Sequence, residues 1–379
     1  MGAGEGTTGP ESAQAAANPV SDITRRVEAF CSRFGLRVPI LLAPMAGVPA
    51  PELSVAVAAA GALGACGALL MTPEEITAWA AKVRSQTRNG FQLNLWVPGP
   101  SPARDAAREK LVRDFLSKWG PPVAADAGDT TPHDFSSQCA AILDVHPAAA
   151  SSVMGLFPPD FVRKLRDKNI PWFATATTVT EAKLAEAAGA DVIVAQGMEA
   201  GGHRGCFNPQ LGESQLVGLF ALIPAVVDAV RVPVVATGGI ADSRGTAAAL
   251  LLGASAVQIG TAFLRCPEAA IASAWAAALA VTRPEDTAMS HVFSGRPGRS
   301  IVTDYVRAAT TDAAPPPAPY PIQRGLTAGM RAAAIKSGDL QRMQAWAGQS
   351  AALARAEPAQ TVVTSLWSEA AALLHFTVR

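Results

Sequence analysis

Between residues 38 and 260, short apolar runs rich in Val, Ile and Ala alternate with longer segments whose apolar positions recur at helical spacing. Eight runs predict strands: 38–43, 62–67, 91–96, 150–155, 172–176, 192–196, 234–237 and 256–260. Strand and helix in turn is the signature of parallel βαβ construction. Helix starts are marked between them. Thr72-Pro73-Glu74-Glu75 supplies a cap, a first-turn proline and acidic residues at the positive end of the helix dipole. Thr178 and Glu181 open a predicted helix over 181–188, which Gly189 ends. Residues 120–132, rich in Pro, Gly and Asp, read as a loop.

Eight strands alternating with helices predict an α/β fold, a (β/α)8 TIM barrel over 20–266, with a doubly wound open sheet as the alternative. From Pro267 the rhythm changes. An Arg/Gly/Pro-rich stretch at 294–299 and a proline run at 313–321 interrupt helical segments, predicting a smaller, mainly helical subdomain over 267–330. Helical periodicity returns over 331–379, expected to pack back on the barrel. Residues 1–19 read as a flexible tail.

Composition narrows the function classes. The 379 residues carry 31 basic and 31 acidic side chains, so no global electrostatic footprint for nucleic acid or an acidic membrane exists. Two uncharged stretches, 53–71 and 246–264, are long enough to cross a bilayer. Both consist largely of Ala and Gly and are broken by glycines, as buried βα units are. Five widely spaced cysteines, with no CxxC pair and no zinc spacing, fit a reducing cytoplasm and predict no metal site. Residues 1–19 lack the cationic start and apolar core of a secretory signal. The sequence specifies no oligomeric state.

A barrel places its chemistry at the carboxyl ends of its strands. There the chain offers Met45 in Ala43-Pro44-Met45-Ala46-Gly47, Asn94, Gln196, the turn Thr237-Gly238-Gly239, and the run from Gln258 to Thr261. Small-residue turns after the last two strands leave backbone N–H groups free for a phosphate. The carboxamides of Asn94 and Gln196 pair a donor with an acceptor, as the pyrimidine edge of a flavin requires. His203 follows Gly201-Gly202 where a ligand can approach, and its near-neutral imidazole suits a general base or an anion-holding group. Glu199, four residues before it, is not taken as a ligand. His133, His146, His291 and His375 have no motif around them, and Cys206 lacks a basic partner.

These residues resemble the nitronate monooxygenases, formerly called 2-nitropropane dioxygenases. The matching blocks are PILLAPMAGV (39–48), NLWVP (94–98), GADVIVAQGMEAGGHRG (189–205), PVVATGGIAD (233–242), AVQIGTAFL (256–264), APYPIQRGLT (318–327) and AWAGQSAALAR (345–355). The resemblance implies a TIM barrel with a helical substrate domain, and FMN held noncovalently. It implies oxidation of alkyl nitronates or nitroalkanes by O2 to carbonyl compounds and nitrite. It assigns the flavin to residues matching Asn94, Gln196, Gly201, Gly238, Gly239, Gln258, Ile259, Gly260 and Thr261, with backbone contacts at Met45. It makes His203 the active-site histidine and brings Tyr320 to the substrate. Some members place several tyrosines there, whereas this chain has only Tyr305 and Tyr320. A flavin-dependent enoyl-thioester reductase using NAD(P)H shares the GGH loop and is the alternative reading.

Overall fold

A computed structural model describes residues 19–48 and 50–374. The tail expected over residues 1–19 lies almost wholly outside the described residues, as does His375. Eleven strands occur among those described. They are β1 (Ile40–Leu42), β2 (Gly64–Gly67), β3 (Phe91–Trp96), β4 (Ala149–Val153), β5 (Trp172–Ala176) and β6 (Val192–Gln196), then β7 (Gly202–His203), β8 (Val234–Thr237), β9 (Ala256–Ile259), β10 (Thr287–Ser290) and β11 (Gly298–Ile301).

Eight of these form one parallel sheet in the order β1-β9-β8-β6-β5-β4-β3-β2. Its edges meet: Leu42 N–H donates to Leu63 O and Leu63 N–H to Ile40 O, at 2.9 and 3.0 Å. The sheet therefore closes into the (β/α)8 barrel, and the open-sheet alternative falls away. Every expected strand is present, with ends displaced by two residues at most.

The helices between strands begin where the sequence signals them. Thr72 and Glu75 form a reciprocal capping box, and Thr178 caps Val179–Ala187. That helix starts two residues earlier than predicted, because the Thr178 hydroxyl accepts from Glu181 N and makes Thr178 the N-cap; the Glu181 carboxylate accepts from the Thr177 and Phe207 amides. Gly189 follows it at φ +99°. Both uncharged stretches resolve into a helix, a strand and a short 3-10 turn. No helix among the described residues is long and apolar enough to cross a membrane.

The barrel interior is graded. Toward the amino ends, Leu41, Leu63, Phe173, Val192, Val194 and Val235 form an apolar cluster. Phe30 and Phe34 of the helix Pro19–Phe34 close it, the Phe34 ring lying 5.0 Å from that of Phe173. Toward the carboxyl ends, Gln92, Asn94, Ser151, Thr175, Gln196, Thr237 and Gln258 are buried polar residues. Buried amides and hydroxyls demand partners. Asn94 Nδ2 donates to Ser151 Oγ, Gln92 Nε2 to Gln258 Oε1, and Thr237 Oγ1 to Gln258 O, at 3.1, 3.0 and 2.8 Å.

The region expected to be mainly helical does contain helices, Ser273–Leu279, Asp304–Ala309 and Ile322–Leu326. It also holds a hairpin that periodicity did not announce. Strands β10, β11 and β7 form an antiparallel sheet in which Gly298 pairs with His203 and Arg299 with Gly202. The hairpin strands are four residues long, Thr-Ala-Met-Ser and Gly-Arg-Ser-Ile, too short for a period-2 signal. Helix Ala328–Ser337 runs across residue 330, where the sequence suggested a division. Helix Ala359–Leu374 packs on Ser243–Leu251 and Pro51–Ala59 of the barrel.

Candidate active site

A cavity of about 550 Å³ opens at the carboxyl ends of the strands. Of the residues singled out from sequence, Met45, Asn94, Gln196, Gly201, His203, Gly238, Gly239, Gln258, Gly260 and Thr261 all line it. Two do not. Ile259 turns outward into the layer between sheet and helices, so only its backbone is available. Tyr320 stands behind the wall, its ring 5.4 Å from Trp96 and under the Arg296 guanidinium at 5.7 Å.

The floor is built from backbone. Gly238 and Gly239 have φ of +120° and +66°, values that side chains with a Cβ rarely adopt. A Cβ on Gly239 would meet Glu199 Cβ at 3.0 Å, so that glycine is required by its backbone conformation as well as by a neighbour. Gly201 sits where the floor meets the C-terminal segment. A Cβ there would strike Gly348 N and would lie 2.6 Å from the Ala347 carbonyl carbon. Thr261 Oγ1 accepts from Gly348 N at 3.0 Å, Glu199 O accepts from Gln349 N at 3.0 Å, and Ser350 Oγ donates to Gly239 O at 2.5 Å. The Glu199 carboxylate accepts from Leu219 N, capping the next helix rather than facing a ligand.

The carboxamides differ. Asn94 and Gln258 each reach the cavity with one end anchored. Gln196 is anchored at both ends: Nε2 donates to His203 O at 3.2 Å and Oε1 accepts from Gly205 N at 2.7 Å. Its amide primarily shapes the histidine loop, leaving one N–H and one lone pair for a ligand.

His203 stands between two indoles. Ring centroids lie 4.7 Å from Trp96 and 4.8 Å from Trp346, both at steep angles, and Nε2 is 2.7 Å from Ser294 Oγ. Nδ1 has no hydrogen bond among the described residues. Burial, then the nearby cations Arg296, Arg324 and Arg331, push the imidazole down to about 3. The ring is therefore neutral at physiological pH. Burial raises the Cys206 thiol above its ordinary value, which leaves it unreactive.

Arg204 and Arg299 fix the loop that carries His203. Arg204 donates to Gln196 O and Gln215 O, and Arg299 Nε donates to Met198 O at 2.9 Å. Sequence reasoning missed Trp96, Ser294, Arg324, Arg331 and Trp346. A signal existed for Trp96: it lies two residues beyond Asn94 on β3, hence on the same face. The others come from segments without barrel periodicity.

The sequence model described as nitronate monooxygenase matches residues 29–369. The chain belongs to the nitronate monooxygenase family. It is 39% identical to a nitronate monooxygenase from Pseudomonas aeruginosa over 90% of this chain and 98% of that protein. Identity to the nitronate monooxygenase of Paraburkholderia phytofirmans is also 39%, over 88% and 93%. Among solved structures, nitroalkane oxidase from Streptomyces ansochromogenes superposes with a TM-score of 0.82 at 34% identity, covering 90% of this chain and 98% of that one. FabK from Thermotoga maritima superposes at 0.71 with 25% identity, over 91% and 96%. As a nitronate monooxygenase family member the chain is an oxidoreductase, and the cavity lies at the carboxyl-end face, where TIM barrels in general place their chemistry.

Proposed function

We propose that the chain oxidises alkyl nitronates with O2, releasing a carbonyl compound and nitrite, with FMN as its cofactor. One observation carries this reading: a neutral histidine between two indoles stands over a floor of glycine backbone and half-anchored carboxamides. The donor set fits a flavin. Gly238, Gly239 and the 260–261 turn would take its phosphate through backbone N–H groups, and Asn94 and Gln258 would take its polar ring edge. The chemistry FMN supplies when bound is acceptance of the nitronate's electrons and their passage to oxygen.

His203 would hold the substrate beside that group. A nitronate is already an anion, so a neutral imidazole positions it through hydrogen bonding and the field of the nearby guanidiniums. A ring held this low is a weak base, so the preformed nitronate, and not the neutral nitroalkane, is the form it is suited to receive. Trp96 and Trp346 exclude water around it. The five cysteines are free and buried, which supports a reducing cytoplasm as part of the reading.

The likeness to FabK keeps reduction of an enoyl thioester by NAD(P)H as a second reading. The visible spectrum of purified protein, followed anaerobically, separates them. Bleaching of a flavin band by propyl nitronate but not by NADH is the expected result. Bleaching by NADH alone moves the assignment to the reductase, and a colourless protein that takes up no FMN removes both.

A further inference from the structure

Ser294 is buried and does not line the cavity, yet its Oγ lies 2.7 Å from Nε2 of His203. A hydroxyl has one proton to give and two lone pairs to receive with. One lone pair accepts from Arg296 N at 3.2 Å. The proton has two acceptors in reach, Arg296 O at 3.3 Å and Nε2 at 2.7 Å. Hydroxyl donors sit about 2.5–3.0 Å from their acceptors, which places the proton on the line to Nε2. The reverse arrangement, with Nε2–H donating to Oγ, leaves a buried hydroxyl proton with only the long contact, and that is costly.

The other ring nitrogen is open. Nδ1 has no hydrogen bond among the described residues, and the buried side-chain polar atoms without a partner are Gln92 Oε1, Arg204 Nε and Ser290 Oγ. Since His203 lines the cavity, Nδ1 opens on it. The indoles of Trp96 and Trp346 pack against the ring at 4.7 and 4.8 Å and hold its plane. From this geometry we infer that Ser294 is a positioning residue: by donating to Nε2 it fixes the ring proton on Nδ1, so that His203 presents an N–H donor, and no lone pair, to the substrate. A neutral imidazole carries one proton, and the partner of one nitrogen decides what the other offers. Ser294 thereby reverses the preference of free histidine, which keeps the proton on Nε2. An anionic nitronate oxygen meets that N–H in a charge-assisted bond, whereas a neutral nitroalkane finds no acceptor for its carbon-bound proton. For its substrate the inference rests on the proposed nitronate oxidation; the place of the proton stands on the protein alone.

Heteronuclear NMR of FMN-loaded protein carrying labelled histidine reads the tautomer directly, with His203 assigned by its loss in His203→Gln. A protonated Nδ1 and a bare Nε2 are the expected result, and the reverse pattern overturns the inference. Ser294→Ala should let the proton pass to Nε2, while Ser294→Thr, which keeps the hydroxyl, should hold it on Nδ1. A tautomer indifferent to Ser294→Ala makes the hydroxyl merely structural. Ser294→Cys, of similar size and only a weak donor, serves if Ser294→Ala folds poorly. With propyl nitronate, Ser294→Ala should raise KM about tenfold, as expected when a charge-assisted contact is weakened, with a smaller change in kcat and recovery in Ser294→Thr. Neutral nitroethane turned over as fast as its nitronate requires a lone pair at Nδ1 and also overturns the inference. The two readings fail separately. Nδ1 protonated through Ser294 in a protein that oxidises no nitronate upholds the positioning role and removes the activity; nitronate turnover with the proton on Nε2 removes the positioning role alone.

Discussion

The floor and the roof of the cavity are made by different means. The floor is barrel: glycine turns after β8 and β9, carboxamides on inner strand faces, and no formal charge. The roof comes from the last third of the chain and is aromatic and cationic, with Trp346, Arg324 and Arg331. His203 belongs to both, since its loop leaves β6 and then pairs as β7 with the hairpin. On the proposed reading, a neutral floor would meet the cofactor through its shape and backbone N–H donors, and a cationic roof would face the substrate. The division then makes the cofactor half a matter of conformation and the substrate half one of side-chain chemistry.

The seam between them is the most sensitive point. Gly201→Ala puts a Cβ against the backbone of Ala347 and Gly348, which cannot rotate away. Overpacking at backbone is expected to cost about 3 kcal/mol. Thermal unfolding and FMN content measured together should both fall. Unchanged values would show that the seam opens freely and that the two halves are not tightly joined.

Next in size is the shared residue. His203→Ala should lower turnover about a hundredfold while FMN content and melting temperature hold. Unchanged turnover would make the histidine structural. Its titration supplies an independent check. The folded ring resists protonation down to about pH 3, whereas an unfolded histidine takes its proton near the ordinary value of 6.5. Between those values the unfolded chain binds the additional proton, so stability falls as pH drops through the window. Compared with His203→Gln, wild type should lose more melting temperature between pH 7 and pH 4.5. An equal loss would mean that burial and the nearby cations do not hold this ring neutral.

Legibility followed the same division. All eight barrel strands could be read because each is a buried apolar run with turn signals beyond it, and the floor glycines lie where those turns must be. Asn94 and Gln258 could be read because polar residues on inner strand faces near the carboxyl ends have few structural uses. Gln196 lines the cavity, but nothing in AQGMEAGGHRG reveals that its amide also binds His203 O and Gly205 N. The hairpin was not visible: Thr287–Ser290 and Gly298–Ile301 gain their strand character from pairing with each other and with Gly202-His203. Arg324 and Arg331 sit on short helices, where arginine ordinarily means solvent. Only the cavity lining shows that these two have no carboxylate beside them among the described residues.

The smallest effect tests whether the seam is one unit or several stitches. Ser350 Oγ donates to Gly239 O, while Thr261 with Gly348 and Glu199 with Gln349 hold the same segment independently. Ser350→Ala removes one bond and leaves a single carbonyl to find water, so about 1 kcal/mol is expected. Because that carbonyl belongs to Gly239, the loss should appear as an FMN dissociation constant raised about fivefold, with kcat unchanged. A loss equal to that of Gly201→Ala would mean that the three contacts fail together. Floor and roof would then be one cooperative element, and the contrast between a conformational half and a chemical half would give way to a single rigid shell around His203.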